Sequence, residues 1–98
     1  MQRDEAIRIL RKAEPELRAR GVLSLALFGS TVRGEANSES DVDVMVEFDM
    51  HRHPSLVDFC GMRLLMESQL GCPTDLAIRE NLRPSYRTTA EADAIRIF

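Results

Sequence analysis

The stretch that decides the fold is residues 22–48, which read VLSLALFGSTVRGEANSESDVDVMVEF. Its first part, Val22–Phe28, is a short apolar run with the length and residue types of a buried strand. Gly29 and Ser30 follow where the chain must turn out of the sheet, and residues 31–34 are expected to form one helical turn. The unpaired backbone N–H groups at the start of such a turn suit phosphate oxygens.

A second strand pattern occupies residues 41–48 and contains two acids. Side chains two residues apart on a strand point to the same face, so Asp41 and Asp43 should project together while the intervening valines enter a core. Two like charges side by side are unfavourable unless a cation lies between them. The pattern therefore predicts a metal site.

A third acid, Asp75, lies near the start of a third predicted strand, residues 73–78, and looks buried there. It would join the first two acids if the third strand pairs with the second. Three carboxylates can hold two Mg²⁺ ions, which prefer oxygen ligands and often bridge to substrate phosphates. Two such ions favour an in-line displacement at phosphorus. The plainer alternative is a set of surface acids at strand ends.

Helices are predicted on either side of these strands. Residues 4–20 have helical spacing, with Pro15 marking either a kink or the first turn of a new short helix, and Gly21 a stop. The capping-box pattern at residues 55–58 opens a helix that Gly71 closes. The residues assigned to its core side are Leu56, Phe59, Cys60, Leu64 and Met66.

The end of the chain is predicted less sharply. Residues 81–84 should turn the chain, residues 85–91 are weakly helical, and residues 94–98 alternate like a short edge strand. The order of elements predicts an α/β (α+β) fold over residues 1–98, a single small domain with a mixed three- to four-stranded sheet flanked by helices.

Composition narrows the class of protein. The chain has 98 residues, 44% of them apolar and 30% charged, and its net charge of −3 argues against direct nucleic-acid binding. No apolar run is long enough to span a membrane, so we expect a cytoplasmic protein. Cys60 and Cys72 are interpreted as thiols in a reducing compartment, and His51 and His53 as solvated loop residues.

The motif Gly29-Ser30-x-x-Arg33-Gly34-x-Ala36-x-x-x-Ser40-Asp41-x-Asp43 resembles the signature of the DNA polymerase β-like nucleotidyltransferase superfamily. More narrowly, the chain resembles its minimal nucleotidyltransferases, the MntA-type antitoxins encoded beside HEPN-domain toxins. The similarity covers nearly the whole chain and implies the polymerase β-like fold.

The resemblance implies a role for each motif residue. Gly29 and Ser30 would hold the β- and γ-phosphates of a nucleotide. Asp41 and Asp43 would ligate two Mg²⁺ ions, and Asp75 would bind the catalytic metal and assist deprotonation of the attacking hydroxyl. For Arg33, a phosphate contact and an ion pair with a nearby acid remain equally open.

The resemblance also implies a reaction and a partner. ATP would donate AMP to a tyrosine hydroxyl of a HEPN-type toxin encoded by a neighbouring gene, which would silence the toxin. An alternative is an antitoxin that neutralises its toxin by stoichiometric binding, with a vestigial or regulatory nucleotide site. Transfer to a small molecule or RNA is a third reading.

Overall fold

The computed structural model describes residues 2–29, 32, 42–52 and 54–98. Within these ranges it contains a four-stranded mixed sheet, built from β1 (Val22–Phe28), β2 (Val42–Phe48), β3 (Thr74–Ile78) and β4 (Ile95–Arg96). The strand order is β3-β2-β1-β4. Strand β2 pairs antiparallel with β1 and parallel with β3, while β4 pairs antiparallel with β1. The mixed sheet predicted from the sequence is confirmed.

The described ranges contain four complete α-helices beside the sheet: α1 (Arg3–Lys12), α2 (Glu14–Ala19), α3 (Leu56–Leu70) and α4 (Pro84–Asp93). Two 3-10 turns, Met50–Arg52 and Arg79–Asn81, lie in the connections. Pro15 falls in the first turn of α2, so the predicted interruption begins a new helix. None of the helices in the described part of the chain is long and apolar enough to cross a membrane.

The sheet has one heavily covered face and one lightly covered face. On the first, alternate residues of β2 such as Val42, Val44 and Val46 pack in a large core with residues of α1, α2 and α3. On the second, a small cluster joins Phe28 and Met45 to Ala90 of α4. Because the two faces differ so much in buried apolar surface, most of the hydrophobic stabilisation comes from the first.

Helix α3 has well-defined ends, as the sequence predicted. The Ser55 hydroxyl accepts a hydrogen bond from the Asp58 backbone N–H at 3.1 Å, and the Asp58 carboxylate accepts one from the Ser55 N–H at 2.9 Å. Gly71 ends the helix in the left-handed conformation, with φ +75°. The helix is the crossover between the parallel strands β2 and β3, so its ends help to set their register.

The predicted core side of α3 is partly wrong. The buried side chains are Met62, Met66 and Leu70, which recur every four residues. Leu56 and Leu64 are instead 77% and 58% exposed. Leu64 lies two residues from both Met62 and Met66, which places it on the opposite side of the helix. Of the other residues assigned to the core, Met66 is fully buried, and Phe59 and Cys60 are half-buried.

The C-terminal elements also differ in length from those predicted. The last helix is longer than expected because Pro84 occupies its first turn, where a missing N–H costs nothing. The final strand is shorter, with only Ile95–Arg96 assigned, although Ile97 N–H still donates to Leu25 O at 2.8 Å. It lies at the edge of the sheet, as predicted.

The Asp58 cap makes the stability of α3 depend on pH. Hydrogen bonding to the backbone and side chain of Ser55 lowers the pKa of Asp58. Because the folded pKa lies below the unfolded one, the carboxylate stabilises the fold above the unfolded pKa and loses this effect as pH falls through the folded pKa. We expect Asp58→Asn to lower the free energy of unfolding at pH 7 and to converge with the unsubstituted protein as the pH falls below the folded pKa of Asp58.

Urea unfolding followed by circular dichroism in pH steps measures this difference. Glu5→Gln, at an exposed acid in the first turn of α1, is the control for a general loss of helix–dipole interaction. A difference that stays constant over the pH range would contradict the assignment.

The orientation of α3 predicts opposite outcomes for two neighbouring truncations. Met66→Ala should lower the free energy of unfolding by about 2–5 kcal/mol, because Met66 is fully buried. Leu64→Ala should change it by less than about 0.5 kcal/mol, since the side chain is mostly exposed. Urea titration of both variants checks this, and comparable losses would refute the observed core face.

Candidate functional site

The ends of three strands meet at one end of the sheet. Strand β1 finishes there at Phe28, while β2 and β3 begin there because they run antiparallel to β1. Phe28 pairs with Asp43 across β1 and β2, and Asp43 pairs with Asp75 across β2 and β3. The condition set for Asp75, that the third strand pairs with the second, is therefore met.

Asp43 and Asp75 share the lightly covered face of the sheet. Residues paired in register point to the same side, and the alternation along β2 places Asp43 with Met45, opposite Val42 and Val44. Neighbouring strands lie about 4.8 Å apart, so the two carboxyl groups are within reach of one shared ligand. Two carboxylates this close can share a cation.

The two acids differ in their exposure to solvent. Asp43 is half-buried, whereas Asp75 is exposed, so the prediction of a buried acid at the start of β3 is wrong. Thr74 and Leu76, its neighbours in the same edge strand, are buried on the opposite face, so Asp75 is exposed because it lies at the sheet edge on the lightly covered face. An exposed carboxylate beside a half-buried one leaves a side of the pair open to an incoming molecule.

Gly29, which follows Phe28 at the end of β1, has a backbone conformation that few other residue types adopt. Its φ is +75°, and a Cβ built on it would overlap Oδ2 of Asp43 and lie 3.0 Å from the Cγ atom of that residue. The Asp43 carboxyl group therefore lies directly against the Gly29 backbone. This contact needs glycine for two independent reasons, the backbone angle and the missing side chain.

Three of the predicted site residues lie outside the described ranges: Ser30, Arg33 and Asp41. His53, interpreted as a solvated loop residue, also lies outside them. Of the helical turn predicted at residues 31–34, only Val32 is described, and it is helical and packs against the main core. His51 is exposed in a 3-10 turn, where its backbone N–H donates a hydrogen bond to Asp49 Oδ1 at 3.1 Å.

The described donors suit a hard divalent cation. Asp43 and Asp75 present carboxylate oxygens, the ligand type that Mg²⁺ prefers, and neither histidine nor thiolate is needed. Among the described residues no group of three or more acidic, histidine or cysteine side chains forms a metal cluster. A full ligand set at this end of the sheet would therefore draw on Asp41, which the sequence places two residues before Asp43.

Sequence reasoning missed the contribution of α4. Ala90 of this helix packs on Phe28 and Met45, the residues that neighbour Asp43 across and along the sheet. The available signal was weak, consisting of Ala90 and Ala94 four residues apart in an otherwise polar segment. The helix therefore covers the same face that carries the acids.

Comparison with known proteins places these features in a family. The model of the nucleotidyltransferase domain family matches residues 7–97. The protein adenylyltransferase MntA of Thermococcus cleftensis is 36% identical over 95 residues, which cover 96% of this chain and 94% of that protein. A solved structure of a candidate minimal nucleotidyltransferase is 33% identical and superposes with a TM-score of 0.79, covering 97% of this chain and 95% of the other.

A more distant structure shares the fold. It is a toxin–antitoxin complex with AMP-PNP, of which one chain superposes with a TM-score of 0.71 at 18% identity. The match covers all of this chain and 73% of the other.

The contact between Gly29 and Asp43 predicts unequal effects of two similar substitutions. Gly71 has the same φ of +75°, but a Cβ there would meet nothing within 4 Å. Gly71→Ala should therefore cost only the backbone strain, about 1–2 kcal/mol. Gly29→Ala should cost at least about 1 kcal/mol more, because the new methyl group displaces the Asp43 carboxyl group. Urea unfolding of both variants measures the difference, and equal losses would rule out the close approach.

Proposed function

Because the chain belongs to the nucleotidyltransferase domain family, we propose that it is a Mg²⁺-dependent protein adenylyltransferase acting in the cytoplasm as an antitoxin. Residues 1–98 would form its single minimal nucleotidyltransferase domain. The proposed reaction moves AMP from ATP to a tyrosine hydroxyl of a cognate HEPN-type toxin. The coarser conclusion, that the chain is a nucleotidyltransferase, follows from the family match and from the relatives named adenylyltransferases.

One observation carries the proposal: Asp43 and Asp75 lie in register on one face, and Asp43 is held against the Gly29 backbone. A protein that only captured its partner would have no physical need for two carboxylates paired across neighbouring strands at this position. A phosphoryl-transfer site does need them, since Mg²⁺ bound there would neutralise charge on the phosphates and polarise the reacting oxygens.

The roles of the residues follow from the motif and the geometry together. We propose that Asp41, Asp43 and Asp75 ligate two Mg²⁺ ions, and that the Gly29 and Ser30 turn binds the β- and γ-phosphates of ATP. Arg33 is proposed as a further phosphate contact. The open side of Asp75 is consistent with its facing the acceptor rather than the nucleotide.

The proposed step is a displacement at the α-phosphorus of ATP. The acceptor hydroxyl oxygen forms a bond to that phosphorus as the bond to the β-phosphate oxygen breaks, and pyrophosphate leaves. The hydroxyl proton passes to a carboxylate oxygen of Asp75, which acts as general base. Asp43, fixed by Gly29, orients the phosphate side of the site, so that attack occurs in line with the leaving group.

The choice of a protein acceptor rests on the relatives. The Thermococcus cleftensis relative is named a protein adenylyltransferase, and the AMP-PNP complex that shares the fold is a toxin–antitoxin pair. A tyrosine of a HEPN-type toxin encoded next to this chain is the acceptor we propose.

Replacing either described acid should abolish transfer without unfolding the protein. We expect Asp75→Asn and Asp43→Asn each to slow AMP transfer by at least about 100-fold, because each removes a charged group from the reacting centre. The measurement is intact-mass spectrometry of the neighbouring gene's product after incubation with the enzyme, ATP and Mg²⁺. Glu5→Gln, at an exposed acid of α1, should transfer AMP at the unsubstituted rate.

Three outcomes separate the alternatives. A mass gain of AMP that requires both acids supports the proposed reaction. A stable complex without any mass gain would replace it with neutralisation by stoichiometric binding. If neither a mass gain nor a stable complex is observed, the proposed partner is wrong.

A further inference from the structure

Helix α4 lies over the sheet face that carries the acids, but it buries little apolar surface there. Among its described side chains only Ala90 is buried, and it contacts Phe28 and Met45. An alanine contributes little to hydrophobic stabilisation, and a polar ten-residue helix is marginal without tertiary contacts. The docked position of α4 therefore depends on interactions besides its apolar contact.

A charged contact supplies one such interaction. Arg79, the first residue after β3, donates a short hydrogen bond from Nε to Oε1 of Glu91, which follows Ala90 in α4. The hydrogen bond to Glu91, reinforced by the charge of that carboxylate, raises the pKa of Arg79 above its ordinary value. The pair joins α4 to the end of the strand that contains Asp75.

The ion pair lies at a cleft between α4 and the sheet. This cleft, of about 180 Å³, is lined by both members of the pair and also by Met45 and Glu47 of β2. Glu47 accepts a hydrogen bond from the Ser24 hydroxyl at 2.9 Å. Met45 belongs both to the cleft and to the cluster under α4. A shift of the helix would therefore change the packing of a side chain two residues from Asp43.

We infer that Arg79 and Glu91 are positioning residues. Their ion pair holds α4 in the docked position that nucleotide binding at the site formed by Gly29 and Asp43 requires. The inference rests on the proposed function of that site. When α4 undocks, Phe28 and Met45 lose their cover. Phe28 directly precedes Gly29 and pairs with Asp43, so loosening it relaxes the contact on which the site depends.

The expected effect is small and measurable. Both side chains are 37% exposed, so solvent screens the ion pair and its contribution to docking is modest. If only docked molecules bind nucleotide, the apparent dissociation constant rises as the docked fraction falls. We therefore expect about two- to fivefold weaker binding when the pair is broken.

The test compares Glu91→Gln, Arg79→Gln and the double variant by calorimetric titration with Mg²⁺ and a non-hydrolysable ATP analogue. Each single variant should bind more weakly, and the double variant no more weakly than either, because the residues act as one unit. In transfer assays the KM for ATP should rise while kcat is retained, since saturating ATP selects docked molecules. Hydrogen exchange of the α4 amides should be faster in all three variants.

The matched control is Glu67→Gln, which removes a carboxylate from the Arg63–Glu67 ion pair on α3, on the other side of the sheet. It should leave nucleotide affinity and α4 exchange unchanged. Unchanged affinity in Glu91→Gln would overturn the inference, as would a loss that Glu67→Gln reproduces or a fall in kcat alone. Failure of the unsubstituted protein to bind the analogue would overturn the proposed function, and this inference with it.

Discussion

The carboxyl group of Asp43 lies against the Gly29 backbone, and the geometry of the proposed site depends on that contact. Gly29 adopts a positive φ at the end of β1, which turns the chain away from the sheet and removes the side chain that would fill the space. Asp43 can then remain half-buried beside Phe28 while pairing with Asp75 on its other side. The same glycine therefore ends a strand and fixes a charged group, so fold and site share one constraint.

The two faces of the sheet separate most of the hydrophobic core from the proposed functional site. The face packed on α1, α2 and α3 carries the valines of β2 and most of the buried apolar side chains. The face under α4 carries the acids and only a small apolar cluster. The first face therefore supplies most of the free energy that holds the strands, and with them the two acids, in register.

The sequence predicted those parts of the fold that local physical rules determine. Strand β1 was predicted to its observed ends because a glycine on each side interrupts an apolar run. The capping box and Gly71 located the two ends of α3, because both are local hydrogen-bonding arrangements. The pairing of Asp43 with Asp75 needed one further assumption, that strands joined by a helix lie side by side and parallel.

Features set by tertiary context were harder to predict. Apolar residues occur on every side of α3, so periodicity could not distinguish Met62 from Leu64 as the core residue. The exposure of Asp75 depends on its strand lying at the sheet edge, which no local pattern encodes. For α4, whose only buried described side chain is an alanine, the sequence predicted a helix but not the surface that it covers.

The mixed pairing of the sheet has a consequence for the order in which the protein folds. Strands β1 and β2 are antiparallel, whereas β2 and β3 are parallel and separated along the chain by the whole of α3. Contacts between distant segments form slowly, because the entropy of closing the intervening loop is lost before any pairing compensates for it. We therefore expect the pairing of Asp43 with Asp75 to form later in folding than the pairing of β1 with β2, which closes a shorter stretch of chain.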